Sequence, residues 1–201
     1  MGNHDKIMEE YKRQRRRSQG KSVDELLSMT EGQNECQFLF GLEMAIQQKE
    51  ELVGQGNLSD QERIVLAVEA LEREVNNGGY SQFFINSSGQ YAPIIVDALV
   101  RIGCPEVAAL TRRAIEAIRP VAWAPEAIAA AVSSYAETES SRWVKVPGSI
   151  LIERSPVNEP ETHDAMSKAL DQCDQSFYQT TENIGGRLID FVKANKESIR
   201  S

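Results

Sequence analysis

Two histidines, three cysteines and thirty carboxylates are the groups from which a catalytic or metal-binding site would have to be assembled. Their spacing argues against one. His4 lies in a basic N-terminal segment, and His163 has no Cys or His at the short separations that a zinc site needs. Cys36, Cys104 and Cys173 make neither a CxxC pair nor a disulfide framework. Each sits among apolar neighbours, so three buried, reduced thiols are expected. A carboxylate-bridged metal pair in a helical bundle would want Glu-x-x-His repeats, and none occurs. There is no GxSxG, no HExxH and no phosphate loop, since Gly78-Gly79 lacks the Lys and Ser/Thr that such a loop requires. No catalytic residue, metal or cofactor is expected, and the chain reads as non-enzymatic.

The most unusual stretch is LEREVNNGGYSQFFINSSGQY, Leu71 to Tyr91. A charged, helix-like run breaks at Asn77-Gly78-Gly79, residues that tolerate left-handed backbone, so the helix is expected to end there. Tyr80, Phe83 and Phe84 then fall at helical spacing, and a short turn of helix can bury Phe83 or Phe84. Gln82, Asn86 and the serines that precede Gly89 can satisfy backbone groups left open at helix ends, where each unpaired buried group costs about 1–3 kcal/mol. On this reading the stretch is a corner between helices. The alternative makes it a binding or immunity-type module, with Gln82, Asn86 and Tyr91 presenting a surface cluster to a specific protein or small ligand.

The carboxylates offer a different kind of chemistry. Net charge is −8, but residues 1–21 carry seven Lys/Arg against three acids, which leaves −12 on the remainder. An acidic body repels duplex DNA and attracts basic protein surfaces. On the helix expected from 60 to 76, Glu62, Glu69 and Glu72 share one side; at 1.5 Å of rise per residue they span about 10 Å and then about 4.5 Å. Glu43, Glu50 and Glu51 of the preceding helix could lie alongside, and Glu159, Glu161, Asp164, Asp171 and Asp174 add charge near the C-terminus. Such rows could imitate duplex phosphates, which recur every ~3.4 Å of axis on each strand. The same acids on exposed helix faces also serve solubility alone.

Stepping from these residues to the elements that hold them, helical signals recur from end to end. Ser22 with Glu25, and Ser59 with Glu62, spell capping boxes. The segment NECQFLFGLEMAIQQKEELVG reads as a helix that ends at Gly54. Ile64, Val68, Leu71 and Val75 recur at spacings of four, three and four. Ile95, Ala98, Leu99 and Ile102 mark a helix that stops at Gly103. Pro105 and Pro125 each suit a first helical turn. Met166, Leu170, Cys173 and Phe177, then Ile184, Leu188, Phe191 and Val192, mark two C-terminal helices. Residues 143–160 hold three prolines and no helical period, which fits a short strand pair or a connecting loop. The fold class is all-α, a single-domain multi-helix bundle over 22–201 with one short irregular or strand-like segment near 143–153. Residues 1–21 are expected to form a flexible basic arm. With no apolar run of the roughly 20 residues a membrane span needs, a soluble cytoplasmic protein is expected.

LEREVNNGGYSQFFINSSG followed by ALVRIG resembles the signature of the bacterial DNA-mimic-protein family: an acidic helix, NGG, an aromatic, then QFF, N, S and G. SDQERIVLAVEAL, ALDQCDQSFYQ and LIDFVKANKE are similar to its flanking helices, so the resemblance runs over about residues 58–198. The signature residues here are Asn77, Gly78, Gly79, Gln82, Phe83, Phe84, Asn86 and Gly89. The resemblance implies an all-α fold, often a homodimer, and a non-enzymatic protein whose acidic surface occupies a basic DNA-binding protein such as a helix-turn-helix transcription regulator. Direct duplex binding by the acidic body and membrane association are not expected. The candidate partner-binding residues are Glu43, Glu50, Glu51, Glu62, Glu69 and Glu72.

Overall fold

The computed structural model describes residues 3–29, 35–145, 151–153 and 160–199. Among them the chain is a succession of helices: α1 (Asn3–Ser18), α2 (Val23–Met29), α3 (Glu35–Val53), α4 (Asp60–Ile85), α5 (Ala92–Ile102), α6 (Pro105–Ala117), α7 (Pro125–Arg142), α8 (Pro160–Gln179) and α9 (Ile184–Ala194). Two three-residue strands, β1 (Trp143–Lys145) and β2 (Leu151–Glu153), form an antiparallel pair that sets Val144 opposite Ile152. The all-α expectation holds, and the non-helical stretch near 143–153 carries the short strand pair. Residues 146–150 and 154–159 lie outside the described chain, as do the side chains of His4 and His163.

The chain divides into two compact units. The first comprises Met1–Glu69 with Asn183–Ser201, the second Ala70–Glu182, so the boundary falls within α4. In the first unit, α3 is the central helix and packs on α1, α2 and α9. Its apolar side is dense: Phe38, Leu39, Leu42 and Ile46 are all buried, as are Val23 and Leu26 on α2, Ile64, Val65 and Val68 on α4, and Leu188 and Val192 on α9. Both capping boxes form. The Ser22 N–H donates to Glu25 Oε2 at 2.8 Å, and the Glu25 N–H returns to Ser22 Oγ at 3.2 Å. The segment expected as an arm is helical from Asn3 to Ser18, and Ser18, 3% exposed, closes against α3 at Gly41.

In the second unit α6 packs on α5 and α8, and α5 on α7. Pro105 and Pro125 open their helices as the sequence implies, because a first-turn N–H has no intrahelical partner to lose. The Glu182 carboxylate accepts from the first two amides of α6, Glu106 N at 3.0 Å and Val107 N at 2.8 Å. The core is aromatic. Tyr80, Phe83 and Phe84 are at most 1% exposed; Tyr80 meets Phe177 and Phe84 meets Tyr135 edge-on with ring centroids 6.0 Å apart, and Phe83 packs on Phe84 at 5.5 Å. Two of the three thiols, Cys104 and Cys173, are buried as expected, whereas Cys36 is exposed. Its position near the start of α3 precedes the buried side of that helix, which begins at Phe38.

Candidate functional site

The signature segment sits within α4. The helix does not end at the two glycines; it breaks there and resumes as far as Ile85. Gly78 is at φ −162°, ψ 24°, and Gly79 at φ 76°, ψ −177°, a conformation essentially reserved for glycine. A break of this kind strands carbonyls on its near side and amides on its far side. One neighbouring helix satisfies both. Asp174 and Tyr178 stand one turn apart on α8. The Tyr80 N–H donates to Asp174 Oδ1 at 2.7 Å, and the Tyr178 hydroxyl donates to the Val75 carbonyl at 2.7 Å. Any Cβ on Gly79 would overlap the Asp174 carboxylate. The glycine is therefore required twice, once by its backbone angles and once by the acid that seals the break.

The remaining signature residues also find partners inside the second unit. Gln82 Nε2 and Asn86 Nδ2 both donate to Glu74 Oε2, at 2.8 and 2.7 Å. Ser88 Oγ donates to the Phe83 carbonyl at 2.8 Å, and Gly89 leaves room for the Phe84 carbonyl, which a Cβ would approach to 2.7 Å. The Tyr80 and Thr111 hydroxyls are 2.8 Å apart in the interior, and those of Ser81 and Tyr135 are 2.8 Å apart in a part-buried position. Burial holds the Tyr80 hydroxyl far above its ordinary value, so it stays protonated and able to donate. Tyr91, which the alternative reading grouped with Gln82 and Asn86 in a surface cluster, is 7% exposed. Asn77 is exposed at the lip of the break.

Sequence reasoning identified the break but not what closes it. Glu74, Asp174, Tyr178, Thr111 and Tyr135 are distant in the chain. Only the i,i+4 spacing of Asp174 and Tyr178 signals that these two share a face, and Asp174 read instead as one more surface acid. Its carboxyl is raised above the ordinary 3.8: burial contributes most, the Tyr80 N–H opposes it, and nearby Asp171 adds to the rise.

The candidate partner-binding acids separate. Glu62 was expected on an outward row with Glu69 and Glu72, but it is fully buried. Its Oε2 accepts the Ser59 N–H at 2.8 Å and its Oε1 accepts from Lys49 Nζ at 2.7 Å, so the capping role turns it inward. Glu43, 4% exposed, accepts from Gln47 Nε2 at 3.0 Å. Neither presents a charge to solvent. Glu50 and Glu69 are half-buried, Glu72 likewise, and Glu51 is exposed and ion-paired to Arg15. The Glu72 carboxyl is raised by burial, that of Glu50 by burial and then by the neighbouring charge of Glu51. Among the described residues no group of three or more His, Cys, Asp or Glu could hold a metal ion, and no helix is long and apolar enough to cross a membrane.

An all-α protein whose glycine break is sealed from within, and whose acids in part remain at the surface, defines a class of helical proteins that the sequence signature had marked out. The chain belongs to the DMP19-like protein family, which matches residues 56–195. That family is of DNA-mimic type and in general non-enzymatic. No curated protein and no solved structure matches the chain significantly.

Proposed function

We propose that the protein is an acidic interaction protein that occupies a basic DNA-binding partner, such as a helix-turn-helix transcription regulator, by electrostatic imitation of duplex phosphates. The observation that carries this reading is the coincidence of family and charge. The family-matched residues 56–195 hold 12 Lys/Arg against 19 Asp/Glu, a net −7. The signature corner is tied to internal partners, so recognition falls to side chains outside it. Glu50, Glu51, Glu69 and Glu72 remain from the candidate set, with exposed Asp164 and Asp171 on α8 as further acids. Glu62 and Glu43 serve the fold instead.

The reading predicts a complex that forms at low salt and is eluted as salt rises, because exposed charges are screened over about 10 Å at 0.1 M. Changing Glu69 and Glu72 together to Gln should weaken binding to a basic helix-turn-helix protein by about tenfold, as loss of roughly 1.4 kcal/mol would. Titration of that partner at 50 and 200 mM salt, with circular dichroism as a check on the fold, reads the effect. Equal affinity in the double variant, or a complex indifferent to salt, defeats the assignment.

A further inference from the structure

The basic N-terminal helix lies outside the family-matched residues, and acidic mimicry gives it no role. Its geometry separates two faces. On one side Ser18 is buried, the Arg15 carbonyl accepts Gln48 Nε2 at 2.8 Å, and the Arg15 guanidinium, half-buried, pairs with Glu51. On the other side Lys12, Arg13, Arg16 and Arg17 are all exposed. At 3.6 residues per turn these four fall within about 140° of the helix circumference, while Arg15 and Ser18 lie on the opposite arc. Arg15 is turned toward α3, while Lys12, Arg13, Arg16 and Arg17 keep exposed side chains on the outer arc.

We propose that α1 is a phosphate-binding helix that engages the backbone of duplex nucleic acid through Lys12, Arg13, Arg16 and Arg17. Three of the four are Arg, whose planar fork pairs with phosphate oxygens better than the point charge of Lys. The stripe extends about 7.5 Å along the helix at 1.5 Å per residue, which matches about two phosphates on each strand at ~3.4 Å of axis apiece. Lys12 also contacts Glu9 at 3.1 Å, but with both side chains about half exposed that pair is worth at most about 1 kcal/mol and yields to a phosphate. A bilayer is a poorer fit. Interfacial helices bury an apolar face, whereas Met8 is the one large apolar side chain exposed among those described on α1, and the inner face is occupied by α3. The Gln48 amide donates to the Arg15 carbonyl at 2.8 Å and so seats the helix with its cationic arc outward.

The proposal is independent of acidic mimicry, because its probe is nucleic acid alone. A fluorescein-labelled 20-base-pair duplex is titrated with the full-length chain by fluorescence anisotropy between 50 and 200 mM KCl. About four phosphate contacts predict a log–log salt slope near −3.6 and about a 150-fold loss of affinity across that range. Arg16→Gln should lower the magnitude of the slope by about 0.9, whereas Arg15→Gln, on the seated face, should leave it unchanged. The triple change Arg13→Gln, Arg16→Gln and Arg17→Gln should abolish binding, and since Gln is nearly as good a helix former as Arg, helicity should persist. The proposal is overturned if the wild-type chain ignores the duplex at 50 mM KCl, if Arg15→Gln and Arg16→Gln weaken binding equally, or if the triple variant binds like wild type. Binding to phosphatidylserine vesicles with none to the duplex overturns it as well.

Discussion

Gly79 shows how much one residue can be asked to do. Its backbone occupies a region open to glycine alone, and its missing Cβ makes room for the acid that caps the resumed helix. Gly79→Ala should therefore cost at least the roughly 1–3 kcal/mol of a forced backbone conformation, and more through displacement of Asp174; the midpoint of urea unfolding measures it. Asp174 makes a second prediction, in pH. Its proton is held more tightly in the folded chain than in the unfolded one. That contribution to stability is complete below the ordinary value of 3.8 and is lost as pH rises through the elevated value. Wild type should gain melting temperature relative to Asp174→Asn as pH falls from about 7 toward about 4, and a constant difference between the two would contradict the assignment. The Asn77-Gly78-Gly79 break was legible in the sequence because glycine pairs disrupt helices for local reasons. Its partners on α8 were not, because a hydrogen bond across 94 residues leaves no trace in spacing.

At the scale of elements, the capping boxes explain why a charge pattern misleads. The acid three residues after Ser59 is drawn inward to close its own helix start, and Lys49 of α3 meets it there. Glu62→Gln keeps the cap geometry but discards the ion pair. With Lys49 still 26% exposed, the expected loss is about 2 kcal/mol, less than for a fully buried pair. Thermal unfolding should show that loss in Glu62→Gln and a smaller one in Glu69→Gln/Glu72→Gln, which touches no cap. A melting temperature unchanged in Glu62→Gln would mean that the buried carboxylate does no structural work. The helices themselves were legible almost throughout, since apolar side chains at spacings of three and four, with proline at the first turn and glycine past the last, are local instructions. The resumption of α4 beyond Gly79 was not, because it depends on a cap supplied by another helix.

For the whole molecule the deciding quantity is charge and where it lies. A chain with −12 beyond its first 21 residues and +4 within them is polarised by sequence alone. This is why the proposed partner of the body is cationic while that of α1 is a polyanion. Both associations should weaken as salt rises. They should nevertheless respond to different substitutions, carboxylates of α3 and α4 for one and arginines of α1 for the other. Cross-effects between the two sets of variants in the two titrations would indicate one shared surface in place of two.

Composition, periodicity and a short signature were enough to determine an all-helical chain, its polarised charge and its family, because each depends on residue type and near-neighbour spacing. Which carboxylates reach solvent was decided only in three dimensions. Glu62 and Glu69 are a heptad apart and share a helix face on paper, yet one is sealed by a lysine from another helix and the other stays at the surface. Burial is a property of what packs against a face, and that information is spread over residues far apart in the chain.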